Sequence, residues 1–187
     1  MTYQALRVLW LLFLAYWLWG AFRTKPVRRS ESTAGYIVRT LLTIAVFFFL
    51  FSPTARIGWL ASRFVPRSAV LAALGVAVTA AGIGLAIWAR RILGRNWSAA
   101  VTIKRSHELI LSGPYTLIRH PIYSGVSLAL FGTALVIGEW KALLALAIIL
   151  VSWFWKAQRE EKLLAQEFGA SYEAHRERTG MFVPRLR

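Results

Sequence analysis

The sequence contains no cysteine and no aspartate among its 187 residues. The missing cysteine excludes disulfide bonds, a thiolate nucleophile and a thiolate metal site. Without aspartate, Ser124 near His120 has no partner for a Ser-His-Asp triad, and it lies in no G-x-S-x-G motif. The three histidines, His107, His120 and His175, show none of the short paired spacings of zinc sites. We therefore predict neither a metal centre nor a covalent nucleophile.

Acidic residues are few, since eight glutamates face 23 lysines and arginines, giving a formal net charge of +15. Nucleic-acid binding is one reading of such a balance. The cations here flank apolar runs, however, which is typical of membrane orientation and of contact with anionic lipid. Hydrophobic residues make up 57% of the chain, too many for a soluble domain of this size. We predict a membrane protein in contact with lipid, with no nucleic-acid partner.

Apolar runs long enough to cross a bilayer recur through the chain and predict an all-α integral membrane protein with about five transmembrane helices. The first run is rich in bulky aromatic residues and lacks a small-x-small cleavage site, so we interpret it as a retained anchor. The five predicted spans are residues 8–22, 36–51, 69–89, 122–137 and 142–155.

The last two runs are joined by only four residues, 138–141, which predicts a tight helical hairpin. A charged amphipathic helix is predicted to follow over 156–178. Five spans place the loop 23–31, the segment 90–121 and the C-terminal tail on one face of the membrane. These segments are rich in lysine and arginine, so the positive-inside rule makes that face cytoplasmic.

The longest break between apolar runs, residues 106–125, holds two of the three histidines. Gly113-Pro114 indicates a turn, and Pro121 predicts that the next helix begins at Pro121 itself. Ring faces, cations and backbone N–H groups at a helix start suit a small zwitterionic or anionic ligand. Alone, each of these side chains is more often a solvated loop residue, a flanking cation or part of an aromatic belt. The clustered residues are His107, Tyr115, Arg119, His120 and Tyr123.

A second polar cluster, Lys156, Arg159, Glu160 and Glu161, follows the last apolar run. Lys156 and Glu160 are four residues apart and share a helix face. A run of charge after a span is usually a solvated face with weak ion pairs. The predicted hairpin nevertheless returns this cluster to the side of the first one, where a carboxylate is able to face His120.

The stretch S-G-P-Y-T-L-I-R-H-P-I-Y-S-G, followed by the short apolar hairpin and R-E-E-K-L-L-A-Q-E-F-G-A-S-Y, closely resembles the isoprenylcysteine carboxyl methyltransferase family and its phospholipid methyltransferase relatives. The resemblance covers about residues 96–184. It implies one membrane-embedded domain over 1–187, in which 1–95 anchor the chain and 96–187 bind the cofactor and carry out catalysis.

The resemblance implies S-adenosylmethionine as cofactor and a lipophilic or prenylated methyl acceptor. The family's substrate-contacting arginine falls on Lys156, where this sequence departs; lysine keeps the charge and loses the bidentate fork. We hypothesise that Lys156 with Arg159 holds an anionic acceptor. A carboxylate acceptor is already ionised near neutrality and needs no general base. The cofactor-binding residues implied by the resemblance are His107, Glu108, Leu109, Ile110, Tyr115, His120, Pro121, Ile122, Tyr123 and Glu160.

Three functions remain open on the sequence. The first is O-methylation of an isoprenylcysteine-type carboxylate, and the second is N-methylation of an aminophospholipid or another small lipophilic acceptor, which must first lose a proton. The third is a non-catalytic membrane sensor or small transporter. Few polar residues lie along the predicted spans, which argues against a pore.

Overall fold

Helices form most of the computed structural model, which describes residues 2–21, 27–30, 33–52, 57–97, 102–104 and 108–185. Six α-helices and two short strands make up this part, with short 3-10 turns between them. In chain order they are α1 (Thr2–Ala21), β1 (Val27–Ser30), α2 (Thr33–Phe51), α3 (Ala69–Leu93), β2 (Thr102–Lys104), α4 (Pro121–Ile137), α5 (Trp140–Phe168) and α6 (Ala170–Arg178).

The prediction of about five membrane-spanning helices is confirmed in part. Three helices, α2, α3 and α5, are long and apolar enough to cross a membrane. Helix α4 is also apolar, but its 17 residues cover only about 26 Å, less than the roughly 30 Å of a hydrocarbon core. Helix α1 begins at Thr2, six residues before the predicted span, and its polar-tipped Trp and Tyr side chains reduce its apolar character.

Helices α3 and α4 lie in backbone contact along a row of glycines. A Cβ atom at Gly82 would lie 2.4 Å from the Ala129 nitrogen, and one at Gly125 would lie 2.6 Å from the Ala86 nitrogen. Two turns further along, a Cβ at Gly132 would lie 2.5 Å from the Gly75 carbonyl oxygen. Small residues at such a seam let two helices approach more closely than side chains allow.

Polar side chains inside this seam are satisfied by each other and by the backbone. Thr79 donates its hydroxyl to the Gly75 carbonyl at 2.8 Å, and the Thr133 hydroxyl donates to the Ala129 carbonyl at 2.9 Å. The Trp10 indole of α1 donates to the Thr133 hydroxyl at 3.1 Å. These bonds tie α1 to the helix pair, because an unsatisfied polar group in an apolar interior is costly.

The predicted hairpin is confirmed, but the charged helix after it is not separate. Gly138 adopts a left-handed conformation with φ 68° and ends α4, and α5 begins at Trp140. Helix α5 then continues without a break through Trp155 and Lys156 to Phe168. The predicted start of a separate helix at residue 156 is therefore wrong. The break between helices lies instead at Gly169, where φ is 52°.

Strand pairing was not predicted. Strand β1 pairs antiparallel with β2, with Val27 opposite Lys104 and Ser30 opposite Thr102. The basic loop predicted at 23–31 thus contains a strand, so the all-α description needs this small correction. The pairing joins segments more than 70 residues apart, and neither four-residue VRRS nor three-residue TIK has a local pattern strong enough to indicate it.

The glycine seam predicts a contrast between two neighbouring positions of α3. Gly82→Ala forces a Cβ onto the α4 backbone and should lower the free energy of unfolding by about 1–3 kcal/mol or more. Gly84→Ala is the matched control, because a Cβ there meets nothing within 4 Å, and it should be neutral or stabilising by up to about 1 kcal/mol. Thermal unfolding in detergent measures both variants, and equal effects would contradict the close packing.

Candidate active site

His120 stands immediately before α4, and the following proline fixes its conformation. Pro121 occupies the first helical position, while His120 has φ −123° and ψ 59°. This confirms the predicted helix start at Pro121. The side chain of His120 is only 7% exposed. It therefore needs partners of its own inside the protein.

Two consecutive glutamates of α5 supply those partners. His120 Nδ1 lies 3.5 Å from Glu160 Oε2, and His120 Nε2 lies 3.2 Å from Glu161 Oε1. The imidazole is thus held between two carboxylates. Burial alone lowers the pKa of His120, but its hydrogen bonds to Glu160 and Glu161 and their negative charges outweigh burial and raise that pKa above its usual value.

Glu160 contacts two further groups besides the imidazole, the Tyr123 hydroxyl and the Lys156 ammonium. The Tyr123 hydroxyl donates to Glu160 Oε1 at 2.8 Å and lies 2.9 Å from Oε2. The Lys156 ammonium, one turn earlier on α5, lies 3.7 Å from Oε1. The same ammonium sits 5.1 Å from the centroid of the Tyr123 ring. A cation therefore rests between an aromatic face and a carboxylate, the arrangement that favours cation–π binding.

Aromatic rings form a stack beside this cluster. The ring centroids of His120 and Tyr123 are 5.4 Å apart with an interplanar angle of 5°. Trp153 stacks on the Tyr123 ring at 5.4 Å. The Phe182 ring is tilted relative to both rings, and its centroid lies 6.0 Å from that of His120 and 6.4 Å from that of Tyr123. Side chains from α4, α5 and the C-terminal tail thus build one wall.

Arg119 connects Glu161 to the C-terminal tail. Its Nε donates to Glu161 Oε1 at 2.8 Å, and its Nη1 donates to the carbonyls of Thr179 and Arg176. Its backbone N–H donates to the Gly180 carbonyl at 2.9 Å. The next amide, that of His120, donates to the Met181 carbonyl at 3.1 Å. The C-terminal tail therefore lies along the segment that leads into α4 and is held there by backbone hydrogen bonds.

Six of the ten predicted cofactor residues fall into two groups in the structure. His120, Tyr123 and Glu160 are in direct contact, as described above. The other three belong to an apolar cluster next to Tyr123, with Ala89 and Trp97 in its core. The predicted members of this apolar cluster are Ile110, Tyr115 and Ile122.

The remaining predicted residues take no part in the contacts given above. Pro121 is fully buried at the start of α4. Leu109 is half-buried and Glu108 is exposed. Arg159, predicted to act with Lys156, is exposed and forms no hydrogen bond or ion pair with a described residue. His107 lies outside the described residues.

Four residues that were not predicted as site residues contribute to the cluster: Arg119, Trp153, Glu161 and Phe182. Arg119 and Glu161 stood in the two polar clusters of the sequence, and the R-H and E-E pairs were the signal that both neighbours are used. Trp153 lies seven residues before Glu160, two turns along the same face of α5. Nothing local indicates Phe182, because its place depends on the path of the tail.

Comparison with known proteins relates the chain to membrane methyltransferases. A profile of the phospholipid methyltransferase family matches residues 70–171. Two relatives are 33% identical over 96 residues: protein-S-isoprenylcysteine O-methyltransferase of Schizosaccharomyces pombe and protein-S-isoprenylcysteine O-methyltransferase B of Arabidopsis thaliana. These matches cover 49% of this chain and 40% and 48% of the relatives, so the matched stretch spans about half or less of their length. Methanethiol S-methyltransferase 2 of Bradyrhizobium diazoefficiens is 43% identical over 74 residues, 38% of this chain and 27% of that protein.

A solved structure has the same overall fold. It is that of a eukaryotic intramembrane Ras methyltransferase, an isoprenylcysteine carboxyl methyltransferase, with a TM-score of 0.51 and 24% identity. The likeness covers 82% of this chain and 53% of that chain. The protein therefore has the fold of a multi-pass integral membrane protein. With more than half of its residues matched by the profile, the chain belongs to the phospholipid methyltransferase family, to which the isoprenylcysteine carboxyl methyltransferases are related.

Proposed function

We propose that this protein transfers a methyl group from S-adenosylmethionine to a lipophilic acceptor at the His120–Glu160 cluster. The observation that carries the proposal is the cation held between the Tyr123 ring and Glu160, here the Lys156 ammonium. S-adenosylmethionine supplies a methyl group on a positively charged sulfur. A ring face beside a carboxylate suits such a cation, so the residues present fit the cofactor.

The residues that would hold the cofactor lie on both sides of Tyr123. Glu160 and the Tyr123 ring offer charge and a π-face, and His120 is oriented by its two carboxylate partners. Ile110, Tyr115 and Ile122 provide the apolar surface next to them. Such positioning accounts for most of the catalysis in an in-line methyl transfer, which needs no covalent enzyme intermediate.

Lys156 would hold the acceptor, because it is the cation of the cluster on the lipid-facing helix. Phe154 and Trp155, immediately before it, are 41% and 59% exposed. A prenyl or acyl chain is costly to expose to water, so the acceptor would arrive through the bilayer along this surface. An isoprenylcysteine-type carboxylate fits such a path and is already ionised. We further propose that the site faces the cytoplasm, from the distribution of lysine and arginine.

A thiol is the second candidate acceptor, favoured by the likeness to a methanethiol S-methyltransferase. A thiol has a pKa of about 8.5 and must lose its proton before it attacks. A neighbouring ammonium lowers a thiol pKa and stabilises the thiolate. Lysine at position 156 offers a point charge, which suits a single sulfur at least as well as a two-oxygen carboxylate.

The acceptor is identified by offering methyl-labelled S-adenosylmethionine and four acceptors to the detergent-purified protein. Base-labile label on farnesylcysteine supports the carboxyl methyltransferase, and a labelled thioether from a short alkyl thiol supports the second candidate. Base-stable label in phosphatidylethanolamine instead assigns the amine-methylating alternative. The fourth acceptor is an unrelated fatty acid, which measures the background of non-specific label transfer. Cofactor binding without transfer to any acceptor favours the sensor alternative. A protein that neither binds S-adenosylmethionine nor transfers its methyl group overturns the proposal.

Glu160→Gln should weaken S-adenosylmethionine binding by about 10- to 100-fold, because an amide keeps the shape and loses the charge. Isothermal titration calorimetry measures the affinity. Glu177→Gln is the matched control, since that residue is exposed on α6 and its substitution removes the same charge. Unchanged affinity in Glu160→Gln, with both variants folded, would contradict the assignment of Glu160.

His120 and His175 should affect stability at opposite ends of the pH range. The folded-state pKa of His120 is raised, so its stabilisation is complete below about pH 6.5 and is lost as pH rises through that higher pKa. Burial and the nearby Arg119 charge lower the pKa of His175, so its contribution is lost as pH falls below about 6.5.

Thermal unfolding between about pH 5 and pH 9 tests this expectation. His120→Gln should remove the loss of stability on the alkaline side, while His175→Gln should reduce the loss on the acidic side and leave the alkaline side unchanged. A His120→Gln variant with the parent's alkaline profile would show that the protonated imidazole does not bridge the two glutamates.

A further inference from the structure

A cavity with both polar and apolar lining residues lies at the other end of the α3–α4 pair. The candidate active site adjoins the end of α3 and the start of α4, whereas this cavity of about 360 Å³ adjoins the start of α3 and the end of α4. Its size is within the range of small-ligand pockets. Its polar lining includes Tyr3, Arg63, Arg67 and Ser68.

Arg63 is held rigidly at the cavity. Its Nε donates to the Val65 carbonyl at 3.0 Å, and its Nη1 donates to the Ile137 carbonyl at the end of α4, also at 3.0 Å. The surrounding backbone is bonded to the α4–α5 turn, with the Phe64 amide donating to the Gly138 carbonyl at 2.9 Å. A guanidinium fixed in this way loses little conformational freedom when it binds an anion.

The positive charge of the cavity is not compensated by its lining. Arg63 and Arg67 line it, and no acidic residue does so among the residues that the structure describes. Glu139 is the neighbouring acid, since its backbone is bridged to that of Arg63. Its carboxylate instead lies 3.2 Å from the ammonium of Lys141, which is buried. Two arginines therefore face the cavity, and the nearby carboxylate already has another cation.

The cavity is continuous with an apolar stripe on the helix pair. Leu71 and Leu135 line it. Leu74 lies three residues beyond Leu71, and Phe131 lies four residues before Leu135, so both follow on the same helix faces. They are 51% and 42% exposed. A ligand that has an anionic head and an apolar chain matches both parts of this surface.

We propose that this cavity binds the phosphate headgroup of an anionic phospholipid, whose acyl chain lies along the Leu71–Leu74 and Phe131–Leu135 stripe. The phosphate accepts hydrogen bonds from Arg67 at the rim and from the guanidinium of Arg63. The site is separate from the proposed methyl transfer and holds a lipid that links α1, α3 and α4 at the end of the bundle opposite the cluster.

Thermal unfolding of the delipidated full chain in detergent tests this site, with phosphatidylglycerol, phosphatidylcholine or glycerol phosphate added. Phosphatidylglycerol should raise the unfolding midpoint, and neither phosphatidylcholine nor glycerol phosphate should do so equally. Arg67→Gln should weaken the apparent affinity for phosphatidylglycerol about tenfold. Arg67 is exposed, so its replacement leaves the fold intact, whereas Arg63 also supports the turn.

Arg91→Gln is the matched control, because Arg91 is an exposed arginine at the other end of α3. It removes the same charge and should leave the response to phosphatidylglycerol unchanged. Equal weakening in both variants would mean that net charge alone attracts the lipid and would overturn the site. Equal stabilisation by phosphatidylcholine would overturn the anionic headgroup, and equal stabilisation by glycerol phosphate would overturn the acyl chain.

Discussion

The backbone contact between α3 and α4 is the constraint on which the rest of the structure depends. A Cβ at Gly82 or Gly132 would lie about 2.5 Å from backbone atoms of the other helix, so the two helices hold this separation only where glycines face each other. The contact fixes the position of α4 along the axis of α3, and Pro121 then sets the residue at which α4 begins. Gly138 turns the chain directly into α5. The positions of His120 and of the two α5 glutamates therefore follow from one helix seam.

Each charged group of the cluster has an oppositely charged partner within the protein. Glu160 is shared by Lys156, Tyr123 and His120, while Glu161 is shared by Arg119 and His120. Taking such groups out of water is costly, and their mutual attraction often does no more than offset that cost. Close pairing at this site thus gives little net stability. Its consequence is orientation, since each polar atom of the imidazole faces a different carboxylate.

Local sequence signals predicted the elements near the site better than the contacts between distant segments. Proline at 121 and the four residues at 138–141 indicated a helix start and a turn, and both are confirmed. The spacing of Lys156 and Glu160 placed them on one helix face. The strand pair joins segments more than 70 residues apart. The backbone hydrogen bonds of Arg119 and His120 to the Gly180 and Met181 carbonyls also join distant segments, about 60 residues apart. Such pairing has no local signature, because backbone hydrogen bonds carry no side-chain pattern.

The two ends of the α3–α4 pair differ in the charge that their side chains present to a ligand. At the cluster the carboxylates already have internal cations, and one of these, the Lys156 ammonium, lies on a Tyr123 ring face. In the methyl transfer that we propose, a cationic cofactor takes the place of that ammonium, and the Lys156 side chain then turns to an anionic acceptor. At the other end Arg63 and Arg67 line a cavity to which no described residue contributes an acid, and this is why we propose an anion from the bilayer there. The two proposals thus differ in kind, since one places exchange of a cation at the cluster and the other places an anionic lipid at the cavity.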